Sequence, residues 1–207
     1  MTSASPVLLS DIGNVLVAFD FTVAARRCAE RCPHPMEQLF HRLDDIKGPY
    51  ENGEMDDETF VREAIKALDF EGTEEEFRTI WCEIFTENTP MKQTLEVVAG
   101  RVPMYLLSNT SGLHKDYLLS NFEVFRNFQS GVYSYSAKCS KPHESIFRVT
   151  IEELGLDPAT TFFVDDLPAN IATAQAMGFQ THCYRMDNHE AFEAALSTWL
   201  ESFAISL

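Results

Sequence analysis

The chain has 207 residues, of which 45% are hydrophobic and 12% aromatic, a composition typical of a globular protein with one substantial core. Its formal net charge of −16 argues against a nucleic-acid partner, because a strongly negative surface repels a polyanionic backbone. No apolar run approaches the length of a membrane span, and we expect no secretion signal in the N-terminal MTSASPVLLSD. The five scattered cysteines form no CxxC pair, so we expect reduced thiols and a cytoplasmic location.

The hydrophobic pattern predicts one strand followed by a long stretch of helices. The apolar run Pro6–Ser10 predicts a first strand that is buried on both faces, as in a parallel sheet. From about residue 19 to 87 apolar residues recur at helical spacing, and no strand signal interrupts them. Thr73 and Glu76 form a capping box that opens the last of these helices, whose apolar face runs from Phe77 to Phe85. This stretch predicts an inserted all-helical unit.

Strand and helix signals alternate in the remainder of the chain. We predict strands at 102–107, 131–135, 161–164 and 179–184, and helices at 92–98, after Ser111, at 144–154, at 168–177 and near 192–203. This alternation predicts an α/β fold, a Rossmann-like parallel sheet with helices on both faces. We expect residues 1–18 and 88–207 to form this core domain and residues 19–87 to form a helical cap domain.

Four short segments carry side chains suited to phosphate chemistry. Asp11 follows the first strand, Ser108 follows the second, Lys141 lies in CSKPHESIF, and the pair Asp165 and Asp166 ends the strand TFFV. Because parallel strands place their carboxyl ends at one edge of the sheet, three of these segments are expected to meet there. Taken singly, each has a structural explanation: a turn, a helix cap or an exposed loop lysine. Their joint occurrence favours a catalytic site.

These segments carry a resemblance to a known family. DIGNVLV, LLSNTSGLH, SKPHESIF and FFVDDLPANI resemble the motifs of the haloacid dehalogenase-like hydrolase superfamily, in the branch with a helical cap inserted after the first strand. Within that superfamily the four segments are most similar to the bacterial alpha-D-glucose-1-phosphate phosphatase group. The resemblance covers essentially the whole chain.

The resemblance implies a role for each matching residue. Asp11 would be the nucleophile that forms a phospho-aspartate, and Lys141 would neutralise both Asp11 and the phosphate. Ser108 would hydrogen-bond a phosphoryl oxygen, with Asn109 completing the phosphate cradle. The implied Mg²⁺ ligands are Asp11, the backbone carbonyl of Gly13 and Asp166. Asp165 would either bind the metal directly or hold a water molecule bound to it. Lys138 is an alternative to Lys141 if the loop register differs.

The sequence departs from the superfamily pattern at Gly13. Most phosphatases of the superfamily carry there an aspartate that protonates the leaving oxygen and activates water. General acid catalysis contributes about 10²–10⁴-fold, so alkyl phosphates should react slowly, whereas a sugar 1-phosphate has a better leaving group. The glucose-1-phosphatase group shows the same D-x-G-N-V arrangement. Asp20 and His114 are candidates for a substitute proton donor.

The resemblance therefore implies a Mg²⁺-dependent phosphatase, a phosphoric monoester hydrolase acting on a small phosphorylated metabolite, with a sugar phosphate favoured. Two alternatives remain open on the sequence. A metal-independent 2-haloacid dehalogenase would use the same aspartate to attack carbon, although the pair Asp165 and Asp166 would then gain only repulsion. A non-catalytic protein that binds a phosphorylated metabolite or a partner is compatible with the missing acid/base group at Gly13.

Overall fold

The computed structural model describes residues 5–206, so residues 1–4 of the segment in which we expect no secretion signal lie outside the described range. Its strands are β1 (Val7–Ser10), β2 (Val17–Phe19), β3 (Phe85–Glu87), β4 (Met104–Ser108), β5 (Ser130–Tyr133), β6 (Thr161–Asp165) and β7 (Gln180–Cys183). Five of them form one sheet in the order β5-β4-β1-β6-β7, and every neighbouring pair is parallel. This arrangement confirms the predicted α/β fold.

The described chain contains α-helices before, between and after these strands. They are α1 (Phe21–Ala29), α2 (Met36–Leu39), α3 (Asp44–Glu51), α4 (Asp57–Leu68), α5 (Glu74–Cys82), α6 (Thr89–Val98), α7 (Gly112–Asn121), α8 (Ser134–Ala137), α9 (Glu144–Leu154), α10 (Pro168–Ala176) and α11 (His189–Glu201). The bounds predicted for α9 agree with those observed, and the predicted capping box at the start of α5 is present.

Helices cover both faces of the sheet, and successive side chains of each strand pack against opposite faces. Leu8 of β1 and Leu106 of β4 belong to a hydrophobic cluster that includes residues of α6 and α11. Leu9 and Leu107, one position further along the same strands, belong to a second cluster with residues of α9 and α10. The sheet is therefore the middle layer of three, and its central strand β1 is buried on both faces.

The five helices α1 to α5 form the inserted unit and have a hydrophobic cluster of their own. Phe60, Phe77 and Trp81 lie at its centre and are at most 3% exposed. The ring of Tyr50 stacks on Phe60 with centroids 4.0 Å apart, which ties α3 to α4. This packing gives the insertion an apolar core separate from the two clusters of the sheet. The division at residues 18/19 and 87/88 stays a prediction.

The prediction that no strand interrupts residues 19–87 is wrong. β2 ends at Phe19 and β3 begins at Phe85, and the two pair antiparallel with Phe19 opposite Phe85. The helical pattern through Phe85 is broken because α5 ends at Cys82 and Glu83 leaves the helical conformation. The backbone amide of Asp20 then donates to the carbonyl of Ile84 at 3.0 Å. A short two-stranded ribbon thus joins the helical insertion to the sheet.

One smaller difference concerns the second half of the chain. The strand predicted at 131–135 ends at Tyr133, because the chain turns there into the single-turn helix α8. Within residues 5–206, no helix combines the length and hydropathy that a membrane crossing requires.

Candidate active site

Asp11 stands at the carboxyl end of the central strand of the sheet. Its backbone amide donates to the carbonyl of Val164 on β6 at 2.9 Å, which fixes the residue between two strand ends. Ser108 is the last residue of β4 and Asp165 the last of β6, the two strands that flank β1. The parallel sheet therefore brings together the ends of three segments that are distant in the sequence.

Lys141 reaches this edge from the loop before α9. Its ammonium Nζ lies 2.9 Å from Oδ1 of Asp11 and 2.6 Å from Oδ2 of Asp165, and it donates to the carbonyl of Leu107 at 2.8 Å. Lys141 is only 5% exposed, and Asp165 is fully buried. The alternative lysine lies elsewhere, because Nζ of Lys138 contacts the carbonyl of Gly53 in the helical insertion.

The amide of Asn109 holds the backbone of Lys141 in place. Its Oδ1 accepts from the amide of Lys141 at 2.9 Å, and its Nδ2 donates to the Lys141 carbonyl at 2.8 Å. This reciprocal pair positions the lysine loop against the end of β4. Both polar atoms of the Asn109 side chain are thus engaged by Lys141, whereas Ser108 lies beside them and lines a cavity.

The two adjacent acids differ in their surroundings. Oδ1 of Asp165 accepts from the backbone amide of Leu167 at 2.9 Å and from Nδ2 of Asn170 at 2.8 Å, while its Oδ2 accepts from Lys141. Asp166 is half-buried, and its Oδ2 accepts from Nδ2 of Asn14 at 3.1 Å. Most lone pairs of Asp165 are therefore occupied by donors of the protein, whereas Asp166 retains open ones.

Asn14 and Asn170 are polar residues of the site to which the sequence analysis assigned no role. Asn14 has a φ of 54°, a left-handed conformation that Asn adopts more readily than most residues, and this turns its amide towards Asp166. Asn170 lies in the first turn of α10, five residues after Asp165, where its side chain faces back to the strand end. The sequence signal for both was an asparagine within a predicted motif, in DIGNV and DDLPAN.

Three carboxylates converge next to one ammonium group. Asp11, Asp165 and Asp166 each offer one oxygen, and these oxygens all lie within 4.8 Å of one another. Burial raises the pKa of Asp11 to about 6 against the opposing effect of Lys141, and burial likewise raises the pKa of Asp166. Burial disfavours the Lys141 ammonium, but the neighbouring Asp11 and Asp165 outweigh it, so its pKa is raised. The excess of negative charge and the oxygen donors fit a divalent cation such as Mg²⁺.

A cavity of about 200 Å³ extends from these strand ends to the helical insertion. Gly13, Ser108 and Asn109 line it on the side of the sheet. The opposite wall includes three aromatic rings and both members of an ion pair, namely Phe19, Phe21, Phe85, Lys47 and Glu51. The other lining residues are Ile12, Ile84, Thr110, Ser111, His114 and Leu118. The cavity therefore offers a polar end at Ser108 and Asn109 and a mixed aromatic and charged wall opposite.

Of the two candidate substitutes for an acid/base group, His114 lines the cavity and Asp20 does not, but neither is in the protonation state of a general acid. The carboxylate of Asp20 caps α1 by accepting from the amide of Thr22 at 2.8 Å, and hydrogen bonds with Thr22 lower its pKa. His114 is buried, and burial lowers its pKa to about 4. Its Nε2 lies 3.1 Å from the carbonyl of Trp81, so this nitrogen carries the hydrogen of a neutral imidazole. At neutral pH the Asp20 carboxyl is therefore ionised and His114 lacks the second ring proton of an imidazolium, so neither group is a general acid.

Comparison with known proteins agrees with the resemblance found in the sequence. The family description "haloacid dehalogenase-like hydrolase", a class of hydrolase, matches residues 7–178. Together with the parallel sheet and the carboxylate cluster at its edge, this match shows that the chain belongs to the haloacid dehalogenase-like hydrolases.

Solved structures with a similar fold include members of this family. A family enzyme from Bacteroides thetaiotaomicron, crystallised with magnesium and inorganic phosphate, is 26% identical over 88% of this chain and 95% of its own, with a TM-score of 0.77. A predicted family hydrolase from Porphyromonas gingivalis is 24% identical over 94% of this chain and 98% of its own, also with a TM-score of 0.77. An L-2-haloacid dehalogenase from Xanthobacter autotrophicus is 19% identical over 86% of this chain and 76% of its own, with a TM-score of 0.60. The last two similarities concern the fold.

Proposed function

We propose that this protein is a Mg²⁺-dependent phosphatase that hydrolyses a small phosphorylated metabolite through an aspartyl-phosphate on Asp11. The observation that carries the proposal is the contact between Asp11 and Lys141, 2.9 Å apart, beside the acids Asp165 and Asp166. The magnesium and phosphate bound by the Bacteroides thetaiotaomicron enzyme support it. We also propose a cytoplasmic location, because all five cysteines are free thiols.

The proposed reaction has two chemical steps. In the first, a carboxylate oxygen of Asp11 forms a bond to phosphorus while the bond from phosphorus to the leaving oxygen breaks, and that oxygen takes a proton from solvent. In the second, a water oxygen forms a bond to phosphorus while the bond from phosphorus to the Asp11 oxygen breaks, which restores the carboxylate. The protons of the water leave with inorganic phosphate or pass to solvent. Lys141 offsets charge on Asp11 and on the phosphoryl group, and Ser108 donates its hydroxyl to a phosphoryl oxygen.

The metal ligands that we propose are Asp11, Asp166 and the carbonyl of Gly13. When bound, Mg²⁺ would offset the repulsion between the carboxylate nucleophile and a phosphate dianion. Asp165 has only one open lone pair next to Lys141, so we propose that it orients Lys141 and touches the metal at most through a water molecule.

A sugar phosphate is the substrate class that we favour. Gly13 carries no acid/base side chain, and near pH 7 neither the neutral imidazole of His114 nor the ionised carboxylate of Asp20 is a general acid. A substrate whose leaving oxygen needs little protonation is therefore converted best, and the anomeric oxygen of a sugar 1-phosphate meets that condition. The cavity between Ser108 and the helical insertion has a wall suited to a small hydroxylated group.

The test is phosphate release from a panel of sugar 1- and 6-phosphates. We expect turnover with Mg²⁺, loss with EDTA, and loss by a factor on the order of 10⁴ in Asp11→Asn, because the nucleophile is removed. Asp45→Asn, an exposed aspartate on α3, is the matched control and should keep full activity. Activity on 2-haloacids that survives EDTA would instead indicate a dehalogenase. Binding of sugar phosphate without any turnover would indicate a binding protein.

A further inference from the structure

Two charged side chains of the helical insertion face the proposed phosphate cradle across the cavity. Lys47 and Glu51 are four residues apart on α3, so they lie on the same face of that helix. Lys47 Nζ is 3.7 Å from Oε1 of Glu51, and both residues line the cavity that Gly13 and Ser108 line from the other side. This is the one place in that cavity where the wall opposite the sheet is charged.

Glu51 is tied to the loop that follows the cradle. Its backbone carbonyl accepts from Oγ of Ser134 at 2.9 Å, and the same Oγ accepts from the amide of Thr110 at 3.0 Å. Thr110 follows Ser108 and Asn109 directly in the chain. The end of α3 is therefore held at a defined position relative to the residues proposed to bind phosphate, as a specificity contact requires.

Lys47 and Glu51 stand next to the aromatic part of the wall. Nζ of Lys47 lies 4.6 Å from the centroid of the Phe21 ring, and Phe21 meets the Phe19 ring edge-on at 5.8 Å. A carboxylate accepts hydrogen bonds from hydroxyl groups, an ammonium donates to them, and ring faces pack against C–H groups. Together these three kinds of group match a hydroxylated carbon skeleton better than an apolar one.

Burial raises the pKa of Glu51 while Lys47 opposes the rise, and both side chains are partly exposed to the cavity. The pair has no other hydrogen-bond partner for its charged ends among the described residues. Its charged groups are thus available to a ligand.

We propose that Lys47 and Glu51 form the specificity subsite that binds the hydroxyl groups of the substrate's leaving group. This inference rests on the proposed phosphatase function and adds the residues that select the substrate.

The test compares substrates with and without hydroxyl groups in the leaving group. Glucose 1-phosphate and glucose 6-phosphate carry them, whereas acetyl phosphate carries none. We expect Glu51→Ala and Lys47→Met each to lower kcat/KM for the better glucose phosphate on the order of 10- to 100-fold, mainly through KM, since each removes charged hydrogen bonds to the substrate. The kcat/KM for acetyl phosphate and the inhibition constant of inorganic phosphate should change by no more than about twofold.

Control variants on the same cap separate this subsite from a general effect of charge. Glu58→Ala and Lys66→Met remove the same charges from exposed positions on α4 and should leave both substrates unaffected. Thermal unfolding of each variant confirms that it is folded.

Three results would overturn the inference or its basis. An equal loss on acetyl phosphate and on the glucose phosphate would mean that Lys47 and Glu51 act on cap closure or on the chemistry, and not on hydroxyl recognition. No loss on either substrate would exclude the subsite outright. A wild-type protein that hydrolyses none of these three compounds, the reactive acyl phosphate included, would refute the proposed function itself and the subsite with it.

Discussion

The ring of Phe19 occupies the space beside Gly13 that a side chain at position 13 would need. A Cβ built on Gly13 would lie 2.9 Å from Cε1 of Phe19 and 3.3 Å from its Cδ1. Phe19 is in turn held by edge contacts with Phe21 and with Phe85 across the two-stranded ribbon. Position 13 therefore has no acid/base side chain, and the Phe19 ring fills the space that such a side chain would need and lines the cavity there.

This relationship predicts coupling between the two positions. Gly13→Ala should destabilise the protein by at most about 1 kcal/mol, because the added methyl group forces aside the Phe19 ring, which is 40% exposed and can move. In a Phe19→Ala background the same change should cost nothing measurable, since the space is then open. A double-mutant cycle of urea unfolding measures the difference. Equal costs in both backgrounds would show that the ring does not limit position 13.

The adjacent acids Asp165 and Asp166 should respond differently to neutralisation. Asp165→Asn leaves Lys141 paired with Asp11 but turns an amide N–H towards one of the three donors that Asp165 accepts from, so we expect a loss of about 1–3 kcal/mol in the free energy of unfolding. Asp166→Asn should change stability by less than about 1 kcal/mol, because this half-buried residue has only Asn14 as a hydrogen-bond partner. Urea unfolding without metal measures both values.

The Asp165→Asn and Asp166→Asn variants should also differ in how much Mg²⁺ stabilises them. Because metal that binds the folded state stabilises it, Mg²⁺ should raise the Tm of the wild type and of Asp165→Asn. It should raise the Tm of Asp166→Asn much less, since that variant lacks a proposed ligand. The roles assigned to the two acids would have to be exchanged if Asp165→Asn were the variant that lost the response to Mg²⁺.

His114 should make stability depend on pH between its two pKa values. Its pKa is lowered by burial from the usual 6.5 to about 4, so between these values the unfolded chain binds more protons than the folded one. The free energy of unfolding therefore falls as the pH is lowered through this window, by about 2 kcal/mol between pH 8 and pH 5. His114→Gln keeps a donor for the Trp81 carbonyl and removes the titration.

Urea unfolding at pH 8 and pH 5 checks this contribution by difference, because all other titrating groups are common to the two proteins. The wild type should lose about 2 kcal/mol more than His114→Gln over that range. Parallel losses in the two proteins would mean that His114 titrates near its usual pKa in the folded state.

Ser134 should couple the stability of the core to the position of the cap. Ser134→Ala leaves the buried amide of Thr110 without its acceptor and the Glu51 carbonyl without its donor, so we expect a loss of about 1–3 kcal/mol. Ser136→Ala on the same short helix is exposed and should stay within about 0.5 kcal/mol of the wild type. Thermal and urea unfolding compare the stabilities of the two variants. If the hydrogen bond from Ser134 to Glu51 also positions α3, the KM for the best sugar phosphate should rise in Ser134→Ala and stay unchanged in Ser136→Ala.

Features that depend on neighbouring residues were predictable from the sequence. The bounds of α9 and the capping box of Thr73 and Glu76 agree with the structure, because periodicity and capping involve residues only a few positions apart. The alternation of strands and helices predicted the three layers of the core. The ribbon of β2 and β3 was missed, because each strand has three residues and pairs with a partner far away in the sequence.

Within the site, the amino-acid sequence by itself determined which chemical groups are present and, through strand ends in a parallel sheet, that Asp11, Ser108 and Asp165 should meet at one edge. Only the tertiary structure decided that Lys141 rather than Lys138 reaches Asp11, and that Lys47 and Glu51 line the cavity that Gly13 and Ser108 also line. The physical reason is that local sequence patterns determine the secondary structure of each segment. The conformation of the loop that carries Lys141 and the packing of α3 depend instead on contacts between residues far apart in the sequence.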